Sequence, residues 1–219
     1  MGLRVVAFSD THSYHRRVKI PDGDLLICCG DITFRGELPI IEDFCNWMKE
    51  FPHKYKIAIH GNHEVGHEHR YKRQMGLDMF AAAGITYLQN SMTEVNGYKI
   101  WGSPYSPRFF DWEYNRSRGK EISLEWSKID PLTNILITHG PPRGILDLAP
   151  RGIGQYSHEG CDDLLARIQQ LPNLKCHIFG HIHRDQNEPP VEINGVFFAN
   201  ASILNNKYEV VNDPVVIDL

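Results

Sequence analysis

Short apolar runs alternate with amphipathic stretches through the first half of the chain. The runs at residues 3–8, 24–29 and 55–59 are continuous rather than alternating, the pattern of strands covered on both faces. Leu38, Ile41, Phe44, Cys45 and Met48 recur at helical spacing until Pro52 stops them. A second helix is predicted from about residue 68 to residue 83, with Gly84 as its stop. The second half changes character. Residues 92–95 and 98–101 flank Asn96-Gly97, a hairpin signal, and residues 191–193 and 196–198 repeat it around Asn194-Gly195. Residues 119–129 and 161–171 predict helices, and 134–138, 174–179 and 215–217 predict strands. Residues 141–159 read as a long loop over a site. Strand–helix alternation followed by hairpins predicts an α/β fold of two packed sheets flanked by helices.

Composition narrows the class. Apolar residues make up 42% of the 219 and charged residues 23%, which excludes disorder as the dominant state. No apolar run reaches the ~18 residues that span a bilayer. The first residues enter a strand directly, without the long apolar core of a signal peptide. A net charge of -4, from 27 acidic and 23 basic residues, argues against a generic nucleic-acid binder. The five cysteines cannot all pair and form no C-x-x-C, so a reducing cytoplasm is the expected home. With no internal repeat or linker, residues 1–219 are expected to form a single domain.

The 12 histidines change the picture. Five predicted strands each end in a polar cluster: Asp10-x-His12, Gly30-Asp31, Gly61-Asn62-His63-Glu64, His139-Gly140 and Gly180-His181-x-His183. Ligands of open α/β sheets sit at the carboxyl ends of strands, so these clusters are expected to converge. Imidazole and carboxylate without thiolate suit Mn, Fe, Zn, Co or Ni.

In this combination the chain resembles the calcineurin-like metallophosphoesterases, whose blocks are D-x-H, G-D, G-N-H-E/D, H-G and G-H-x-H. All are present between residues 10 and 183. The stretches Asp10-Thr11-His12-Ser13 and Thr138-His139-Gly140-Pro141-Pro142 are especially similar to the brain-type, metallophosphoesterase-domain-containing branch. Some members of that branch have Gly in place of the first His of G-H-x-H; here it is His181. The resemblance implies a four-layer α-β-β-α sandwich and two divalent or trivalent metal ions, manganese favoured. It implies that Asp10, His12 and His183 hold one ion, that Asn62, His139 and His181 hold the other, and that Asp31 bridges them. A metal-bridging hydroxide would then attack phosphorus in line, with His63 beside the metals stabilising charge or protonating the leaving oxygen.

Departures and decoys sharpen this. Relatives that hydrolyse phosphoproteins continue the second block as G-D-x-V-D-R-G, and Phe34 stands here where their second Asp orients the catalytic His. His63 then needs another orienting partner, which weakens a protein-phosphatase reading. Arg35 coincides with their phosphate-clamping Arg, and a solvated loop arginine is the equal alternative. His63-Glu64-Val65-Gly66-His67 matches H-E-x-x-H, but Gly66 opposes the helix a zinc protease needs there. Asn200-Ala201-Ser202 reads as a strand terminus rather than a glycosylation site. His15, His53, His60, His67, His69, His158 and His177 read as surface or capping residues, with His67 and His69 close enough to the G-N-H-E loop to reach substrate. Tyr105, Phe109, Phe110 and Trp112 either stack a nucleobase or pack their loop. The expected partner is a small phosphoester, a nucleotide being one such, with no membrane and no strong nucleic-acid signal. The expected activity is phosphodiester hydrolysis, a cyclic nucleotide being one candidate substrate. Phosphomonoester or phosphoprotein hydrolysis, nuclease activity and a metal-stabilised binding protein are the alternatives.

Overall fold

In the computed structural model, which describes residues 2–67, 70–152 and 154–219, the predicted strands assemble into two large mixed sheets. In chain order the elements are β1 (Arg4–Phe8), β2 (Leu25–Cys28), α1 (Leu38–Lys49), β3 (Tyr55–Ala58), α2 (Arg70–Ala82), β4 (Thr86–Tyr87), β5 (Ser91–Val95) and β6 (Tyr98–Ser103). There follow β7 (Ser106–Pro107), β8 (Asn115–Arg116), α3 (Lys120–Trp126), β9 (Ile135–Thr138), β10 (Leu148–Gly152), β11 (Gln155–His158), α4 (Asp162–Ile168), β12 (Cys176–Phe179), β13 (Val191–Ile193), β14 (Val196–Asn200) and β15 (Val215–Asp218). The predicted start of α2 at residue 68 lies outside the described residues.

The first sheet runs β15-β1-β2-β3-β4, parallel except for β15, and the second runs β13-β14-β12-β9-β6-β5, parallel except for its two edges. Period-two alternation decides which side chain meets which layer. Val5, Ala7, Leu25 and Ile27 point inward and share one core with Ile135, Ile137, Cys176 and Ile178 of the other sheet. Their neighbours Val6, Phe8, Leu26 and Cys28 point outward onto α1 and α2, through Ile41, Phe44, Met48 and Phe80. Leu136 and Phe198 do the same on the far side, against Ile122, Trp126, Leu164 and Ile168 of α3 and α4. The result is the expected four-layer α-β-β-α sandwich, and the continuous apolar runs follow from strands buried on both faces. Among the described residues no helix is long and apolar enough to cross a membrane.

One expectation needs correction. Residues 141–159 are not a plain loop: they carry the antiparallel hairpin β10–β11. Both strands are largely exposed, with Pro150 and Gly152 inside β10, so neither hydrophobic alternation nor propensity announces them.

Candidate metal centre

The parallel strands β1, β2, β3, β9 and β12 all deliver their carboxyl ends to the same edge of the sandwich, and each hands over one of the five polar clusters. The turns that follow are tight. Asp10, His12, Asp31 and His181 all adopt positive φ (57°, 38°, 51° and 69°), a region costly for non-glycine residues and tolerated where surrounding contacts dictate it. Two glycines make the close approach possible. A Cβ on Gly61 would collide with the Asp31 carboxylate and the His139 ring, and one on Gly180 with Ser9 and the Asp10 carboxylate.

Among the described residues, three groups of atoms able to ligate a metal lie within 4.8 Å of one another: Asp10, His12 and His183; Asp31, His139 and His181; and His12, Asp31 and His63. Asn62 joins the second group, its Oδ1 lying 2.9 Å from His139 Nε2. Every ligand expected from the sequence is therefore brought together.

Ring orientation shows what fits between them. His12 Nδ1 is 3.0 Å from the Thr33 carbonyl, His139 Nδ1 3.0 Å from that of Cys29, and His183 Nδ1 3.2 Å from that of Asn205. A carbonyl can only accept, so each Nδ1 carries the proton and each Nε2 presents a lone pair when the ring is neutral. Those lone pairs face carboxylate oxygens: His12 and His139 lie 3.7 and 3.3 Å from Asp31, and His183 lies 3.7 Å from Asp10. His12 Nε2 is fully buried without a hydrogen-bond partner. Acceptors turned on acceptors at a buried site favour a cation between them, a proton or a metal ion, and borderline metal ions match this donor set.

Without an ion, protons fill part of that role. Burial alone raises the Asp10 carboxyl, but the His183 hydrogen bond and charge bring it down to about 2. Burial disfavours the His139 imidazolium, yet the Asp31 charge pushes its pKa up to about 9. His12 and His181 are held down to about 4, chiefly by burial. The His181 backbone N–H donates to both Asp10 oxygens at 3.0 Å, fixing that carboxylate across the two sheets.

His63 finds a partner that the sequence does not advertise. Its Nδ1 donates to the backbone carbonyl of Phe34 at 2.8 Å, and its ring stacks on Trp112 with centroids 4.2 Å apart. Glu64, fully buried, accepts from the backbone N–H groups of Asp31 (3.1 Å), Thr33 (3.0 Å) and Gly61 (2.6 Å), stapling the second block to the third. Residues 63–67 form turns, not the helix a zinc protease would need.

Several expectations are corrected. His67 is fully buried with Nε2 donating to the Gly36 carbonyl at 3.2 Å, so it faces the interior and cannot touch substrate. His15, His53, His60 and His177 are buried as well, not surface residues. His60 is held by the hydroxyls of Tyr87 and Tyr114, each 3.0 Å from its Nδ1. His69 lies outside the described residues. Arg35 is exposed and lies over Trp112, 5.8 Å from that ring's centroid, so it reaches the site's rim by stacking.

A cavity of about 350 Å³ opens over the centre, lined by His12, Asp31, Asn62, His63, His181 and His183 on its floor. Its walls combine the aromatic loop and the 141–159 stretch singled out in the sequence with residues that sequence reasoning missed, Tyr208, Arg108 and Arg118. Tyr208 lies against His12 and His183, with ring centroids 5.1 and 5.0 Å away. The hairpin contributes Ala149, Pro150 and Arg151, and Arg108, Phe109 and Arg118 complete the wall. Tyr208 and Arg108 carry no motif, and only the fold brings them here.

Two packed sheets whose strand ends gather aspartates, an asparagine and histidines around a cleft define a metallophosphoesterase. Residues 3–185 match the family described as calcineurin-like phosphoesterase, and the chain belongs to that family. It is 35% identical over 236 residues to metallophosphoesterase domain-containing protein 1 of Homo sapiens and of Mus musculus, covering 99% of this chain and 71% of each relative. Among solved structures, phosphopantetheinyl hydrolase (PptH) from Mycobacterium tuberculosis is similar with a TM-score of 0.60 and 14% identity, over 93% of this chain and 90% of that one. At that identity the likeness concerns the fold alone.

Proposed function

We propose that residues 1–219 act as a single dinuclear, metal-dependent phosphodiesterase domain working on a small molecule, with nucleotides, cyclic ones included, as the substrate class. The observation that carries this reading is the set of three imidazoles whose Nδ1 atoms are tied to carbonyls while their Nε2 atoms face Asp10 and Asp31. Asp10, His12 and His183 would hold one ion and Asn62, His139 and His181 the other, with Asp31 between them. Manganese is the first metal to test among the ions this donor set accepts. Bound divalent ions would lower the pKa of water to generate a nucleophile near neutral pH and polarise the phosphoryl oxygens.

The protein's own groups supply the rest. Phe34 fixes the His63 tautomer, which leaves Nε2 to exchange a proton with the departing ester oxygen. Trp112 covers one face of the ring and limits its freedom. The cavity of about 350 Å³ suits a small ester rather than a folded phosphoprotein. The cytoplasm is the compartment we assign, in keeping with five buried, unpaired thiols.

Elemental analysis of protein purified without chelator, with a panel of esters and added manganese, tests the reading. Close to two equivalents of metal are expected, with faster hydrolysis of bis(p-nitrophenyl) phosphate than of p-nitrophenyl phosphate. A clear monoester preference overturns the diesterase assignment, and a metal-free, inactive protein overturns the enzyme.

A further inference from the structure

Three arginines line the cavity together with the metal-ligating residues, and their partners differ in a way that bears on substrate class. Arg151 is neutralised: its Nε lies 2.9 Å from a Glu159 carboxylate oxygen, and a second nitrogen pairs with the same oxygen. Arg118 is oriented rather than neutralised. Its two terminal nitrogens donate to the backbone carbonyls of Gly160 and Glu159, both at 2.7 Å, and the largely exposed Asp162 carboxylate lies 3.8 Å away. The Arg108 guanidinium, which lines the cavity, has no hydrogen-bond or ion-pair partner among the described residues. Arg108 also borders an adjoining groove with Glu121, whose carboxylate accepts from the Ser117 backbone N–H at 2.9 Å.

Two cationic side chains therefore line the same cavity as the metal-ligating residues, in a chain whose overall charge is -4. A scissile diester carries one negative charge, and the metal-ligating end of the site is where that charge belongs. Guanidinium groups are suited to planar or tetrahedral oxyanions, which they grip by charge-assisted hydrogen bonds. Phe109, another lining residue, offers a half-exposed ring whose centroid lies 6.1 Å from that of His181.

We infer that Arg108, with Arg118 beside it, selects phosphodiesters that carry a second anionic group, a carboxylate or a further phosphate, on the substituent retained after cleavage. This deepens the phosphodiesterase reading and rests on it. Arg108 is the specificity-determining residue to alter, because Arg118 also holds the backbone at residues 159–160 and its removal would disturb the wall.

The experiment compares two p-nitrophenyl aryl phosphates on the manganese-loaded full chain, identical except that the retained ring is phenyl or para-carboxyphenyl. Both release the same p-nitrophenolate, so the bond broken is matched. The carboxylated ester is expected to have a kcat/KM roughly tenfold higher, mainly through a lower KM, the yield of one charge-assisted contact at a partly exposed site. That ratio should fall toward one in Arg108→Gln, persist in Arg108→Lys and shrink as salt is raised. A ratio near one in the wild type overturns the inference while leaving the phosphodiesterase reading intact. So does a ratio unchanged in Arg108→Gln, or an equal loss for both esters, which would place Arg108 on the scissile phosphate. Failure to hydrolyse either ester overturns the phosphodiesterase reading, and the inference falls with it.

Discussion

His63 donates its Nδ1 proton to the main-chain carbonyl of Phe34 at 2.8 Å, at the position where phosphoprotein-cleaving relatives have an aspartate side chain. Orientation survives the change of residue because the peptide group, not the side chain, does the holding. His63→Ala is expected to lower kcat by roughly 10²–10⁴, the usual range for loss of a proton-transfer group. Phe34→Ala should cost far less, since every residue supplies the same carbonyl. Trp112→Ala should fall between them, by several-fold, through loss of ring stacking. Steady-state kinetics on one diester ranks the three variants. A Phe34→Ala protein as impaired as His63→Ala would show that the side chain matters after all.

Asp31 stands within ligating reach of His139 and His181 on one side and of His12 and His63 on the other. Asp31→Asn removes the negative charge on which both groups depend. Metal content should drop, and kcat/KM should fall by roughly 100-fold or more, beyond the effect of removing an outer-shell partner. Metal analysis and turnover on the same sample check this. Unaltered binding and rate would leave the proposed centre without a mechanism, and binding without turnover in the wild type would favour a scaffold over an enzyme.

Metal uptake should also be linked to pH. In the metal-free protein the His139 pKa lies near 9 because Asp31 favours its imidazolium over the cost of burial. The group is thus protonated at pH 7 and must lose its Nε2 proton to ligate. Affinity should climb between about pH 7 and 9 and level off above. Calorimetric titration with manganese in two buffers of different ionisation enthalpy should report about one proton released from His139 at pH 7, with His183, also raised, adding to it. No buffer dependence would contradict this.

Acid stability isolates a different histidine. His177 donates from Nε2 to Thr138 Oγ1 at 2.8 Å, Thr138 passes its own proton to the Gly140 carbonyl, and burial pushes the imidazole down to about 3. Because the folded value lies below the ordinary 6.5, the neutral ring's contribution is intact above that pH and drains away as pH falls toward 3. The loss approaches about 1.4 kcal/mol per pH unit for one such group. Urea midpoints of chelated protein at pH 7, 6 and 5 should decline more gently in His177→Gln than in wild type. Parallel declines would assign acid sensitivity elsewhere.

How much of this could be read from residues alone depended on how local the signal was. A strand, its glycine turn and the candidate ligand behind it lie within a few positions, so the convergence of Asp10, His12, Asp31, Asn62, His139, His181 and His183 was legible, as were the doubly covered strands. Partnerships made by the fold were not. His60 meets the hydroxyls of Tyr87 and Tyr114 from distant segments, so nothing near it in sequence separates it from a surface histidine. Tyr208 reaches the centre from a loop of no particular pattern, and the aromatic loop holding Trp112 gave no sign that its indole would cover His63. The exposed hairpin β10–β11 lacks the one-sided burial that makes a strand readable.

Neither sheet owns the centre. Asp10 and His12 follow β1 while His183 follows β12, and Asp31 follows β2 while His139 and His181 follow β9 and β12. Each cluster of donors thus straddles the seam, and a cation seated there would rivet one half of the sandwich to the other. Sliding the halves past each other by an ångström would break both clusters in the same movement, so occupancy of the centre doubles as a gauge of whether the two halves are in register.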